Sequence, residues 1–144
     1  MVRLAGQRVA FPASAVESVI EIESLVPVPG AAPHIAGLTA LRSRVLTVID
    51  GRSALGRGSE PKRNAIGDAV VVSADGHPYA IAVDEVEDVI DAGSESRPAS
   101  EAVDAAWRRV APNLVEAAGE MLLLICADAL IAGPGDPKPE ARVA

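Results

Sequence analysis

The sequence predicts an all-β fold with short helices, arranged as two similar small barrels. Three observations support this prediction. Hydrophobic residues make up 49% of the chain but aromatic residues only 2%, so the core must be built from Val, Ile, Leu and Ala, and the Val/Ile share favours strands. Many short apolar segments alternate with Gly and Pro turns, a spacing typical of barrels or sandwiches. An internal repeat then favours two copies of one unit.

The repeat relates residues 6–21 to residues 76–91 at a constant offset of 70 positions, without a gap. The matching pairs are Gly6/Gly76, Ala10/Ala80, Val16/Val86, Glu17/Glu87, Val19/Val89 and Ile20/Ile90. Each copy is followed by a long apolar strand, at residues 45–49 and 121–125. Chance similarity between two Val-rich segments is the alternative explanation.

Within each copy, a short strand (residues 8–11 or 79–82) is predicted to lead into about two helical turns. Val16, Val19 and Ile20 stand at i, i+3 and i+4, which gives one apolar stripe on a helix. In the second copy, Asp84 is a suitable N-cap. So short a helix is not stable alone in water, so the stripe must lie on a lobe or contact a partner.

The remaining elements follow from turn residues. Hairpins are predicted around Arg42-Ser43, Asp75-Gly76 and Gly119, and a short helix over 102–110 with Trp107 as its packing residue. Residues 26–30 contain two prolines and are predicted to cross a sheet edge as a loop. Residues 56–66 are polar and are predicted to connect two lobes.

Charge is unevenly distributed along the chain. Residues 1–72 carry eight Lys/Arg and six Asp/Glu, a net +2, whereas residues 73–144 carry five and fourteen, a net −9. An acidic half with few aromatic residues predicts no nucleic-acid partner. The asymmetry instead permits different partners on different faces, or head-to-tail contacts. No apolar stretch approaches the roughly 20 residues of a membrane span, so we expect a soluble, cytoplasmic protein without direct membrane insertion.

No pattern in the sequence points to catalysis, a metal or a cofactor, and none is predicted. Cys126 is the only cysteine and is expected to be a small buried hydrophobe; His34 and His77 are expected in solvated loops. Residues 51–58 have the glycine spacing of a phosphate-binding loop but lack its Lys and Ser/Thr. Asp50 suits a helix cap at least as well as a catalytic base, and a hydrolase using Asp50 and His34 would require the two side by side in a pocket.

Several segments together resemble the CheW-like chemotaxis family. Residues 37–56 read Gly-Leu-Thr-Ala-Leu-Arg-Ser-Arg-Val-Leu-Thr-Val-Ile-Asp-Gly-Arg-Ser-Ala-Leu-Gly, which is similar to the family signature Gly-Leu-Ile-Asn-Leu-Arg-Gly-x-Val-Leu-Pro-Val-Val-Asp-Leu-Arg-x-x-Leu-Gly. Residues 15–19, 28–37 and 80–89 resemble three further family segments. The resemblance covers roughly residues 4–131. Ser43 departs from the usual Gly, and Ser18 stands where some members carry a Glu that pairs with the signature Arg.

The resemblance implies two five-stranded SH3-like barrels in one CheW-like domain over residues 1–132. Lobe one would cover about 6–66 and lobe two about 67–132, with strands exchanging between lobes, and residues 133–144 would form a disordered tail. It also implies a non-catalytic adaptor that couples the cytoplasmic tips of chemoreceptors to the regulatory domain of a CheA-type histidine kinase, at membrane receptor arrays. The partner-binding residues implied are Val16, Val19, Gly37, Arg42, Val86 and Val89. The alternative is a small-molecule-sensing barrel or another protein-interaction module outside chemotaxis.

Overall fold

The computed structural model describes residues 1–56, 67–87, 92–99, 103–117 and 119–133. Its strands are β1 (Val2–Leu4), β2 (Gln7–Ala10), β3 (Val16–Ile22), β4 (Ile35–Leu41), β5 (Arg44–Asp50), β6 (Gly67–Ala74), β7 (His77–Ala82), β8 (Glu85–Val86), β9 (Ala92–Pro98), β10 (Asn113–Ala117) and β11 (Glu120–Leu124). Its helices are α1 (Gly51–Ala54), α2 (Ala105–Val110) and α3 (Ala127–Ala132), with a 3₁₀ turn at Ala13–Ala15. No helix among the described residues has the length and apolar character needed to cross a membrane.

The strands form two sheets, which confirms the predicted all-β class. One sheet has five strands in the order β3-β6-β7-β5-β4, and the other has six in the order β8-β1-β2-β11-β10-β9. Pairing is antiparallel except between β5 and β7 and between β2 and β11. Strands β1 and β2 therefore join the sheet of the C-terminal strands. Residues 57–66, predicted to connect the lobes, lie outside the described part of the chain, and the domain limits stay a prediction.

The central strands of the five-stranded sheet are buried on both faces. Alternate residues contribute to two separate cores, as expected when side chains of a strand point alternately to opposite sides. The side chains on one face pack together as a core within the five-stranded sheet, formed by Leu46, Val48, Ala69, Val71, Ala80 and Ala82. The other, here called the outer face, contributes Ile49, Val70, Val72 and Ile81 to a larger core that also contains residues of the six-stranded sheet and all three helices. The two sheets are thus joined by a common core.

The three predicted hairpins are confirmed, and two of their turns share one backbone geometry. Arg42-Ser43 and Asp75-Gly76 turn with two successive positive φ values, 50° and 67° in the first and 52° and 80° in the second. Two-residue turns of this kind match the twist of antiparallel strands, and glycine adopts positive φ without a steric penalty. Ser43 adopts the left-handed conformation where the other turn has Gly76, so the Arg42-Ser43 turn is strained.

The helix predicted after residue 15 is wrong, because residues 16–22 form strand β3. Between Val16 and Ser18 the pairing of β3 with β6 shifts by one residue, in a β-bulge. The extra residue places Val16 and Val19 on the same face of the strand, a spacing of three that imitates a helical repeat. β-branched side chains then favour the strand over the helix.

The helix predicted after Asp84 is also wrong for the residues described there. Glu85–Val86 is the short strand β8, and the Asp84 carboxylate accepts a hydrogen bond from the Gly6 backbone N–H at 2.9 Å. Val89 and Ile90 lie outside the described residues. Asp84 therefore joins two chain segments and does not cap a helix.

Three smaller expectations have mixed outcomes. The helix around Trp107 is confirmed as α2, which begins at Ala105 after the cap Asp104, and Trp107 is buried. Cys126, which directly precedes α3, is exposed, so its expected burial is wrong. Gly133 ends α3 and is buried, whereas residues 134–144 of the predicted tail lie outside the described residues.

Candidate partner-binding surfaces

Val16 and Val19 lie on β3, an edge strand of the five-stranded sheet. They pair with Val72 and Val70, whose side chains belong to the outer-face core, so both valines point to that same side. Val16 is half-buried against this core, while the Val19 side chain is 50% exposed. The structure therefore brings these two predicted site residues together, and Val19 offers apolar surface to a partner.

Val86 lies on β8, an edge strand of the other sheet. Its backbone N–H donates a hydrogen bond to the Asp68 carboxylate on β6 at 3.0 Å. In the β3–β6 ladder the backbone of Asp68 lies opposite that of Glu21. Strand β8 therefore lies beside the end of β6 at which Asp68 faces Glu21 of β3. Val86 is half-buried and packs against the outer-face core. We call Val16, Val19 and Val86 the seam surface. Val89, predicted to belong to it, lies outside the described residues.

An ion network holds β8 in place. Glu87, directly after β8, pairs with Arg3 at 3.2 Å and with Arg8 at 3.0 Å, and Arg8 also reaches Glu120 at 2.9 Å. These pairs are half-exposed, so each stabilises the fold only slightly, but they fix the position of the strand that carries Val86. By contrast, Glu21 and Glu85 are exposed beside the seam surface, and neither carboxylate is paired with a cation of the described residues.

Arg42, the predicted signature arginine, is exposed at the tip of the β4–β5 hairpin, and its guanidinium makes no hydrogen bond or ion pair with any residue that the structure describes. The neighbouring Arg44 takes the intramolecular carboxylate instead, pairing with Glu17 of β3 at 3.5 Å. Glu17 also accepts a hydrogen bond from the Ser73 hydroxyl, which lowers the pKa of its carboxyl, with Arg44 acting in the same direction. Arg42 thus remains available to a carboxylate on another molecule.

Gly37 is buried, and its surroundings explain why a glycine stands there. A Cβ at this position would lie 2.6 Å from the carbonyl oxygen of Val26. Val26 and Leu38 exchange two backbone hydrogen bonds of 2.9 Å, which place the Val26 segment along the outer edge of β4. In this structure Gly37 admits that segment, and a direct partner contact by Gly37 stays a prediction.

His34 and Asp50, the pair considered for a hydrolase, are neighbours through their backbones: the Asp50 N–H donates to the His34 carbonyl at 2.8 Å. Both side chains are buried, so the expectation that His34 lies in a solvated loop is wrong. The His34 ring packs against Gly133, and its Nε2 lies 2.8 Å from the Ile131 carbonyl at the end of α3. Asp50 accepts hydrogen bonds from two backbone N–H groups at the start of α1, as the predicted helix cap. Both residues join elements of the fold and are shielded from solvent.

Replacing Asp50 by asparagine is expected to change how stability depends on pH. Burial raises the pKa of the Asp50 carboxyl, against the opposing hydrogen bonds from Ser53 and Arg52. A carboxyl with a raised folded-state pKa contributes stability below its unfolded pKa and loses it as the pH rises through the folded value. Asparagine retains the acceptor oxygen without the charge. Measured by urea unfolding, the unfolding free energy of Asp50→Asn should therefore rise relative to that of wild type as the pH increases from about 4 to 7.

The control is Asp50→Ala, which removes both the charge and the cap. It should be less stable than Asp50→Asn at every pH, by about 1 kcal/mol, the usual contribution of a helix cap. A stability difference between Asp50→Asn and wild type that stays constant with pH would contradict a raised pKa at Asp50.

Two comparisons with known proteins agree with this architecture. A family model described as a CheW-like domain matches residues 1–134. The crystal structure of the scaffolding protein TtCheW from Thermoanaerobacter tengcongensis is similar, with a TM-score of 0.72 and 21% sequence identity over 87% of this chain and 85% of that chain. A search of curated proteins gave no match.

Proposed function

Because the chain belongs to the CheW-like domain family, we propose that it is a non-catalytic adaptor that couples chemoreceptors to a CheA-type histidine kinase. In this proposal the protein acts in the cytoplasm, is recruited to membrane receptor arrays, and holds the cytoplasmic tip of a receptor and the regulatory domain of the kinase. The family match over residues 1–134 is the observation that carries the proposal.

The seam surface supports an adaptor role on physical grounds. Val19 exposes half of an apolar side chain on an edge strand, next to Val16 and Val86, which are packed and therefore preorganised. Interfaces of transient signalling complexes are small, and a few well-placed apolar anchors dominate their affinity. A partner that covers Val19 buries apolar surface without first ordering the strand beneath it. The seam surface is proposed as the receptor site.

The experiment is isothermal titration calorimetry of the purified protein with a cytoplasmic receptor fragment and with the kinase regulatory domain from the same host. Wild type should bind both. Val19→Asp should weaken receptor binding by at least about tenfold, because it places a charge in an apolar contact. Met121→Asp is the matched control, since Met121 is also an exposed apolar residue (44%) but lies on β11 and is not part of the seam surface. Absence of binding to both partners by wild type contradicts the adaptor function.

A further inference from the structure

Two buried side chains near the start of α1 each carry a polar atom without a hydrogen-bond partner among the described residues. They are His34, which is 5% exposed, and Asp50, which is 2% exposed. The His34 Nδ1 and the Asp50 Oδ2 are both shielded from solvent, and neither takes part in a hydrogen bond with the described part of the chain. Buried polar atoms are rarely left unpaired, because each has lost its hydrogen bonds to water without replacement. The two atoms therefore point to a partner that is not among these residues.

The fold makes the two side chains neighbours. His34 directly precedes β4, and Asp50 is the last residue of β5. Ile35 pairs with Ile49, so the antiparallel register sets His34 opposite Asp50, whose backbone N–H donates to the His34 carbonyl at 2.8 Å. Side chains of opposite residues point to the same side of a sheet, with Cβ atoms about 4.5–5.5 Å apart. The two side chains therefore lie side by side, although Nδ1 and Oδ2 do not hydrogen-bond to each other.

Both unpaired atoms are hydrogen-bond acceptors. The His34 Nε2 lies 2.8 Å from the Ile131 carbonyl oxygen, which can only accept, so in the neutral ring Nε2 carries the hydrogen and Nδ1 has a free lone pair. The Asp50 Oδ1 accepts from the backbone N–H groups of Arg52 and Ser53, at 3.0 and 3.4 Å. The other carboxylate oxygen, Oδ2, is left as a second acceptor. Two acceptors cannot bond to each other, so a partner that satisfies both must donate two hydrogens.

Donors near the two atoms are already bound to other acceptors. The backbone N–H groups of Ile35, next to His34, and of Gly133, against the His34 ring, donate to carbonyls of their own segments. The guanidinium of Arg109 also contacts Gly133 and donates only to backbone carbonyls of α1 and α3 and of the residue after α3. These carbonyls belong to Ala54, Ala129 and Gly133. None of these groups supplies a hydrogen to Nδ1 or to Oδ2.

From these contacts we infer that a buried water molecule binds between His34 and Asp50, donating one hydrogen to Nδ1 and the other to Oδ2. Buried waters typically satisfy two to four polar groups that otherwise lack partners. Two hydrogen bonds of about 2.8 Å that meet at the tetrahedral angle join atoms about 4.5 Å apart, which suits side chains of opposite strand residues. A metal ion needs more protein ligands than this pair supplies, and the described residues contain no group of three His, Cys, Asp or Glu side chains that could hold one.

The water joins elements that meet at the end of β5. His34 contacts the end of α3 through Ile131, and Asp50 caps the start of α1. A water held by both side chains therefore links α1 to α3, which Arg109 also connects through its bonds to backbone carbonyls. The site goes beyond the adaptor function and does not depend on it, because neither His34 nor Asp50 belongs to the seam surface.

The first test examines the full wild-type chain by crystallography at high resolution and by nitrogen-15 NMR of its histidine rings. The crystal structure should show an ordered water within about 3.2 Å of both Nδ1 and Oδ2. At about pH 8, where imidazole is ordinarily neutral, His34 should hold its hydrogen on Nε2 and accept a hydrogen bond at Nδ1. His77, the only other histidine, is exposed and serves as the internal control, which should populate both tautomers.

The second test is a double-mutant cycle of His34→Phe and Asp50→Ala, measured by urea unfolding. Because either substitution removes one anchor of the water, the double variant should be less destabilised than the two single effects combined, by at least about fivefold in the unfolding equilibrium constant. The control cycle pairs His34→Phe with Asp104→Ala, since Asp104 caps α2 but is exposed, and its effects should add within about twofold.

Three outcomes contradict a water held by both side chains: a crystal structure without it, a hydrogen on the His34 Nδ1, or a His34–Asp50 cycle as additive as the control. The first two are decided on the wild-type chain, so they stand even if a variant fails to fold. Binding of the kinase domain and the receptor fragment tests the adaptor function separately.

Discussion

Replacing Ile81 by alanine is expected to lower the free energy of unfolding by about 2–5 kcal/mol, the usual effect of removing a large aliphatic side chain from a packed core. Ile81 lies on β7, in the middle of the five-stranded sheet, and is fully buried. Its side chain belongs to the core shared by both sheets and the three helices. The alanine variant leaves a cavity where the two sheets meet.

The same variant tests whether the sheets unfold together. Trp107 is the only tryptophan and lies in the shared core, so its fluorescence reports the packing of α2, while far-ultraviolet circular dichroism reports the strands. Both signals should lose their native values at the same urea concentration in wild type, and both midpoints should fall together in Ile81→Ala. Midpoints that separate would show that the sheets unfold independently and would contradict a common core.

Val45→Ala is the matched control for this experiment. Val45 lies on β5, next to β7 in the same sheet, and loses an aliphatic side chain in the same way, but it is 62% exposed. Its unfolding free energy should stay within about 0.5 kcal/mol of wild type. Because both substitutions replace a β-branched strand residue by alanine, the difference between their unfolding free energies reports the effect of burial.

Local sequence signals predicted the hairpins because their turns depend on few residues. The Asp75-Gly76 dipeptide favours a two-residue turn by its own backbone preference, and the structure confirms it. Proline placement likewise predicted that residues 26–30 would not be a central strand, and Val26 makes only an isolated bridge. These features need no knowledge of the tertiary structure.

The helix prediction at Val16 and Val19 failed because two different structures give the same spacing. A helix and a bulged strand both place residues i and i+3 on one face, and only the pairing with β6 decides between them. That pairing joins residues about 50 positions apart, which periodicity within the segment does not encode. Val16 and Val19 nevertheless lie on one face, as their spacing predicted, whereas Ile20, placed in the same stripe, pairs with Ala69 and packs on the opposite face.

The exposure of Val45 was missed for a related reason. Residues 45–49 are almost uniformly apolar, so their hydrophobic pattern predicts a strand buried on both faces. In the structure the strand extends past the core, which leaves Val45 exposed although Leu46 is fully buried. Likewise, His34 was expected in solvent because it stands between Pro33 and a predicted strand, whereas α3 packs against it from 97 residues further along the chain. Exposure at such positions depends on where distant elements end.

Gly37→Ala is expected to destabilise the protein, because it strains the backbone and displaces the Val26 segment. Its φ of +151° is unfavourable for any residue with a Cβ, at about 1–3 kcal/mol. The new Cβ would also lie 2.6 Å from the Val26 carbonyl oxygen, which is a backbone atom and cannot rotate away. The Val26 segment must shift from β4, and its two hydrogen bonds with Leu38 contribute about 0.5–1.5 kcal/mol each.

Gly67→Ala separates the two effects. Gly67 also has a positive φ, +125°, but a Cβ there would meet no atom of the described residues within 4 Å, so this variant suffers backbone strain without displacing any of them. Urea unfolding should therefore show Gly37→Ala as less stable than Gly67→Ala by about 1–3 kcal/mol, the contribution of the two lost hydrogen bonds. If both glycine variants are equally stable, the close approach of Val26 to Gly37 does not contribute to holding the Val26 segment on β4.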